Sequence, residues 1–264
     1  MNGAKERKVK VNNMEFDYIT FGKGNKNLIM IQGLNTKGIK GSSFMLSFMY
    51  RIFAKEYKVY LFDRRPIVNK GITVRDFAND IALIMDELKI DNADIIGVSE
   101  GGMIGEYLAI DRPDLVNKLV LVVTLAKNNE LVNEVINKWK ELTLKEDYKE
   151  LIKDMAYKMY SDSYLKKYKA FLPLLTLVQK PKDKYRFINL LESCLTCNTY
   201  EELDKISCPT LVIGGELDKI VGKEASIELA NKLNAELFIY EGLGHALYEE
   251  AKDFNKRVYE FLMK

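Results

Sequence analysis

The chain has 264 residues, and its 40 Lys and Arg against 38 Asp and Glu leave a net charge of +2. With 47% apolar and 11% aromatic residues it can bury a sizeable core, which excludes a disordered chain, and its near-balanced charge argues against nucleic acid as the main partner. A single histidine, His245, excludes histidine-rich metal sites and leaves one imidazole for any chemistry.

Met1 to Lys10 is polar and charged, without the apolar stretch of a secretory signal. The longest apolar runs, such as Leu119–Val123, are far too short to cross a bilayer. Three cysteines, Cys194, Cys197 and Cys208, fit a reducing cytosol better than a disulfide framework. The expectation is a cytoplasmic protein with no membrane partner.

Val9 and Val11 alternate with polar residues, Asn12-Asn13 is a turn pair, and Met14 to Phe21 alternates again. That pattern predicts a hairpin, broken afterwards by Gly22 and Gly24. Short apolar runs follow at Leu28–Ile31, Val59–Phe62, Ile95–Val98, Leu119–Val123, Leu211–Ile213 and Leu237–Tyr240. Continuous runs of this length suit strands buried on both faces, as in a parallel sheet. Helical patterns lie between them. Phe44, Phe48, Ile52 and Phe53 share one face, and Phe77, Ile81, Ile84, Met85 and Leu88 another, after a near capping box at Thr73 and Asp76. Met103, Tyr107, Leu108 and Ile110 follow Ser99, and Phe254, Val258, Phe261 and Leu262 close the chain. This alternation predicts an α/β fold with right-handed crossovers.

From Lys127 to Leu203 the rhythm breaks into helical patterns such as Leu131, Val135, Trp139 and Leu151, Met155, Met159, punctuated by Pro173 and Pro181. We therefore expect a core of residues 1–126 and 204–264 with a helical cap, 127–203, over the strands' C-terminal edge, where ligands bind in open α/β sheets. The basic stretch Lys166–Arg186 reads as a solvated cap face, with attraction of an anionic substrate as the alternative. Cys194-x-x-Cys197 has no second cysteine pair, and its spacing suits a packed helix face.

The strongest chemical signal is Gly97-Val98-Ser99-Glu100-Gly101-Gly102, between the strand Ala93–Val98 and a helix running to about Arg112. G-x-S-x-G in that setting is a nucleophile elbow. Gly97 and Gly101 permit the tight turn, and Ser99 is lifted to a helix N-terminus, where negative charge is favoured. A serine needs a base, and the base needs an orienting group. Only His245, in the loop Glu241–His245 after the strand Leu237–Tyr240, can be the base. Gly214-Gly215-Glu216-Leu217-Asp218 follows another strand; Asp218 is the better orienting acid and Glu216 its competitor. The order Ser99, Asp218, His245 is the serine, acid, histidine order of α/β-hydrolases.

The sequence resembles the α/β-hydrolase fold superfamily, of the capped type acting on small molecules. Almost the whole chain shares the likeness, through Gln32-Gly33-Leu34-Asn35, the elbow at Ser99, Arg112-Pro113, Cys208-Pro209-Thr210-Leu211-Val212 and Gly244-His245. The resemblance implies an eight-stranded, mostly parallel sheet, and an oxyanion hole formed by the backbone N–H groups of Leu34 and Glu100. Three departures stand out. Gln32-Gly33 replaces the usual His-Gly. Glu100 stands where relatives often carry Met or Gln, its side chain expected to point away from the serine. Asp63-Arg64-Arg65-Pro66 lacks the usual glycine, and Arg64 and Arg65 read as structural.

The leading function is serine hydrolysis of a carboxylic ester or related acyl compound, needing no metal or organic cofactor. Its partner is a small-molecule acyl substrate; Met155, Tyr157, Met159, Tyr160, Phe171, Leu174 and Leu175 suggest an apolar pocket for it, although each also suits helix core. The same residues could serve hydrolysis of C–C bonds, lactones, thioesters or N-terminal proline, though Glu100 stands where the aminopeptidases carry Trp. Asp-nucleophile chemistry conflicts with Ser99, and a non-catalytic ligand receptor is the reading from another class. The oligomeric state is not legible.

Overall fold

Asn12 and Asn13 both take positive φ, 46° and 65°, and close the turn between β1 (Lys5–Val11) and β2 (Met14–Phe21). Asparagine tolerates this backbone, whose twist matches that of the paired strands. The computed structural model describes residues 3–168 and 179–264. Six more strands follow: β3 (Lys26–Ile31), β4 (Tyr57–Phe62), β5 (Ala93–Val98), β6 (Val116–Val122), β7 (Thr210–Gly215) and β8 (Glu236–Tyr240). They form one eight-stranded sheet in the order β1-β2-β4-β3-β5-β6-β7-β8. β2 is antiparallel to both neighbours, and all pairings from β4 to β8 are parallel.

Both faces of the sheet are buried along the central strands β3 to β7, which explains their continuous apolar runs, whereas Leu237 on the edge strand β8 is 37% exposed. Ile29, Ile31, Ile95, Leu119 and Leu121 pack on one side, against α2 (Val74–Glu87) and α3 (Glu100–Asp111). Leu28, Met30, Ile96, Val120 and Val122 pack on the other, with Phe254, Val258 and Phe261 of the last helix, Phe254–Leu262. The Thr73 and Asp76 capping box is present at the start of α2. The chain crosses outward from β3 to β4 and then returns to β5 on the opposite side of β3. This reversal opens a crevice beyond the C-terminal ends of β3 and β5, where both Gln32 and Ser99 lie.

One expectation needs correction. Phe44, Phe48, Ile52 and Phe53 do not share one helical face: Phe44 and Phe48 are 68% and 62% exposed, and only Phe53 is in the core. The helix α1 (Ser43–Met49) stops at Tyr50, and a 3-10 turn, Arg51–Lys55, changes the phase. Periodicity identifies residues on a common face; it does not say which face packs. Here Met45, Leu46 and Met49 turn toward a cavity.

Between β6 and β7 the described residues form α4 (Glu130–Leu144), α5 (Tyr148–Met159), α6 (Asp162–Tyr168) and α7 (Lys184–Cys194), with no strand among them. An isolated bridge between Lys127 and Asn198 ties the start of this excursion to its end. Lys169, Phe171, Pro173, Leu174 and Leu175 lie outside the described residues. Cys194 and Cys197 are buried free thiols, each donating to a carbonyl, of Leu190 and Leu125 respectively. Burial pushes both thiols up, as suits packed, inert cysteines. The fold is completed by α8 (Lys223–Leu233), α9 (Leu247–Glu250) and α10 (Phe254–Leu262). No described helix is long and apolar enough to cross a membrane.

Candidate active site

The turn from β5 into α3 holds Ser99 at φ 55° and ψ −121°, a region that side chains other than glycine's seldom occupy. Surrounding contacts enforce it: Ser99 N donates to Val122 O at 2.8 Å, and Thr124 Oγ1 donates to Ser99 O at 2.9 Å. The flanking glycines are required by space. A Cβ on Gly97 would stand 2.4 Å from Gly101 O, and one on Gly101 2.1 Å from Ile31 O.

Two loops bring the other groups over the serine. Leu217 N donates to Leu243 O at 2.9 Å, joining the acid loop to the histidine loop, and Ala246 N donates to Met159 O at 2.7 Å, joining the histidine loop to α5. His245 is only 3% exposed. Its Nε2 lies 2.9 Å from Ser99 Oγ and its Nδ1 2.8 Å from Asp218 Oδ2. Asp218 Oδ1 accepts from the N–H groups of Ile220 and Val221 at 2.8 and 3.0 Å. Burial alone would raise this carboxyl, but the charge and hydrogen bond of His245 and the two amides outweigh it and hold the pKa low. An ionised Asp218 can only accept, so His245 carries its proton on Nδ1 and offers the Nε2 lone pair to the serine hydroxyl. Glu216 is exposed and accepts from Gly242 N at 2.9 Å; it braces the loop and does not meet the imidazole.

Gly33 packs against the serine: a Cβ there would be 3.1 Å from Ser99 Cβ. Leu34 N–H therefore belongs to the loop that abuts Ser99, and Glu100 N–H opens α3. Among the described residues neither amide has a protein acceptor. The Glu100 side chain is buried and paired with Arg64, and Arg65 makes a two-pronged pair with Asp80 at 2.7 and 2.6 Å. Both guanidinium groups are thus engaged by carboxylates of the protein itself.

A cavity of about 550 Å³ adjoins the site. Gly33, Leu34 and Val98 form its inner wall, Met45 and Met49 of α1 one side, and Met155 and Met159 of α5 the other. Tyr160 also lines it, whereas Tyr157 is 55% exposed. The α1 contribution was missed in sequence because those methionines alternate with exposed phenylalanines. Three buried side-chain atoms without a hydrogen-bond partner among the described residues, Gln32 Nε2, Asn35 Oδ1 and Asn255 Oδ1, belong to residues lining this cavity. Such atoms are costly unless a ligand or water meets them. Among the described residues no group of three or more His, Cys, Asp and Glu is placed to hold a metal.

A family model for the alpha/beta hydrolase fold matches residues 27–252. The chain belongs to the α/β-hydrolase fold family. Among curated relatives it is similar to RutD of Rhizobium rhizogenes, provisionally named a carbamate hydrolase, with 24% identity over 86% of this chain and 90% of that one. It is also similar to the 2-hydroxy-6-oxononadienedioate/2-hydroxy-6-oxononatrienedioate hydrolase of Cupriavidus pinatubonensis, with 28% identity over 91% and 88%. Among solved structures, the enol-lactonase of Burkholderia xenovorans superposes with a TM-score of 0.84 over 98% of this chain and all of that one, at 22% identity. That last likeness concerns the fold alone.

Proposed function

We propose that this member of the family is a serine hydrolase that cleaves a carboxylic ester or related acyl compound. The observation that supports this most is the unbroken hydrogen-bonded line Ser99 Oγ, His245 Nε2, His245 Nδ1, Asp218 Oδ2. His245 takes the hydroxyl proton of Ser99 as Oγ attacks the acyl carbon. The tetrahedral oxyanion is held by the N–H groups of Leu34 and Glu100, two fixed dipoles aimed where charge develops. Protonated His245 then gives its proton to the departing oxygen, and the acyl group stays on Ser99. Water enters, His245 deprotonates it, and the resulting hydroxide attacks the acyl-enzyme. Collapse releases the acid and returns the proton to Ser99.

Residues 127–203 are assigned as the cap, and Met155 and Met159, with α1, as the apolar wall that receives the acyl or alcohol part. A small-molecule substrate handled in the cytoplasm fits this reading, with no nucleic acid or membrane partner. The carbamate, enol-lactone and 2-hydroxy-6-oxo dienedioate in the relatives' names each contain a carbonyl that an activated serine can attack. A panel of p-nitrophenyl esters, lactones, carbamates and vinylogous diketones, read by turnover and intact mass, tests the proposal. Turnover with a mass increase on Ser99 is the expected result. An inert panel with no covalent adduct overturns it.

A further inference from the structure

Two charged residues at departures from the family pattern, Arg64 in the loop after β4 that lacks the usual glycine and Glu100 after the serine, meet inside the molecule. Arg64 Nε and Nη2 donate to Glu100 Oε2 at 3.2 and 2.8 Å, and Nη2 also donates to the carbonyl of Gln32 at 2.6 Å. The side chains are 4% and 1% exposed. The guanidinium lies over the ring of Phe77, 5.6 Å from its centroid. Ser193 Oγ of α7 approaches the other oxygen, Glu100 Oε1, at 3.3 Å.

A buried ion pair is a poor stabiliser compared with two apolar side chains of the same volume, because desolvation of both charges offsets their attraction. What distinguishes this pair is where its ends are attached. Glu100 supplies one of the two N–H groups assigned to the oxyanion. Gln32 is two residues before Leu34, which supplies the other, so its carbonyl fixes the peptide plane next to the one bearing Leu34 N–H. The same carbonyl is pressed from behind, since a Cβ on Gly101 would stand 2.6 Å from it. One planar cation thus spans the two chain segments that must hold a fixed separation for both donors to reach one oxygen.

We propose that Arg64 is a positioning residue for the oxyanion hole, acting through the carboxylate of Glu100 on one side and the carbonyl of Gln32 on the other. The proposal rests on the serine-hydrolase reading, and it explains why a carboxylate is tolerated beside the nucleophile: the charge is turned inward and neutralised.

The test compares Arg64→Met, Arg64→Lys and the double variant Arg64→Met/Glu100→Met by thermal melting, ester kinetics and the rate of fluorophosphonate labelling. Arg64→Met strands a buried carboxylate and is expected to lower Tm. The double variant replaces the pair by apolar side chains and is expected to regain Tm. Its kcat and labelling rate should nevertheless remain at least about tenfold below wild type, with KM changed by less than about twofold, because the transition state alone uses the donors. Arg64→Lys, which keeps the charge but cannot span both acceptors, guards against a double variant that fails to fold. Its kcat should fall several-fold at near wild-type Tm. Wild-type kcat in whichever of these two variants is folded, or a loss confined to KM, overturns the assignment. A wild type that turns over no member of the acyl panel and takes no label at Ser99 overturns the hydrolase reading itself, and the proposal with it.

Discussion

Asp218 and His245 face one another as buried side chains, with Asp218 Oδ2 2.8 Å from His245 Nδ1 and the other carboxylate oxygen anchored by two backbone amides. The amides fix the carboxylate, the carboxylate fixes the tautomer, and the tautomer decides whether the serine can lose its proton. Asp218→Asn keeps the shape but can donate through its side-chain amide, which favours the tautomer with the proton on Nε2. Turnover should drop about 10³- to 10⁴-fold with KM little changed. Glu216→Gln should stay within about twofold of wild type, since its contact is with Gly242 N. Steady-state kinetics on one ester decides both; equal losses would return the acid's role to an open contest.

This contest shows what the sequence could and could not specify. Ser99 was legible because strand, glycines and helix start must coincide in a tight turn, and His245 because no other imidazole exists. The choice between Asp218 and Glu216 was a matter of direction: two carboxylates two residues apart leave the same strand end, and only the geometry of the loop turns one inward. The central strands were readable because both their faces are buried. The α1 face was misjudged because a break at Tyr50 resets its phase. The contact of Arg64 with Glu100 joins ends of two strands separated by β3 in the sheet. Its only trace in sequence was a pair of opposite charges, each just after the C-terminal end of a strand.

The backbone at Ser99 stores strain. Positive φ with ψ near −121° suits glycine and disfavours alanine. Ser99→Gly should therefore be more stable than Ser99→Ala, by about 1 kcal/mol in urea unfolding. Both should be inactive. An alanine variant as stable as the glycine variant would mean that the elbow is relaxed.

Close approach gives a second stability prediction. Gly101 lies in α3, where alanine is intrinsically favoured over glycine by up to about 1 kcal/mol. The added Cβ would nonetheless meet backbone oxygens of Ile31 and Gln32 at 2.1 and 2.6 Å. Gly101→Ala should push the Leu34 loop away from Ser99, lower Tm, and reduce kcat by at least about 100-fold. Tm and kcat measured together check this, and a variant at or above wild-type Tm would contradict it.

Glu106 contributes one pH-dependent part of the stability. Burial pushes its carboxyl up to about 8, with the Thr199 hydrogen bond working against the rise. Thr199 Oγ1 donates to Glu106 Oε2, a bond that favours the ionised carboxylate, and also lies 3.1 Å from Ala126 O. From about pH 4.5 to about pH 8 the folded state keeps a proton that the unfolded state has released. Stability from this group therefore falls as pH rises through that window and levels off above it. Glu106→Gln removes the effect. The stability difference, wild type minus variant, should decrease by as much as about 4 kcal/mol between about pH 5 and about pH 8. Urea unfolding at both pH values measures it, and a constant difference would contradict the assignment.

The central claim is that Ser99, activated by His245, is the nucleophile. Intact-mass analysis after exposure to a fluorophosphonate tests it most directly. One adduct per chain is expected, located on Ser99 by peptide mapping, lost in Ser99→Ala and slowed at least about 10³-fold in His245→Ala. A wild-type chain that takes no adduct, or a Ser99→Ala chain labelled as fast as wild type, would contradict it.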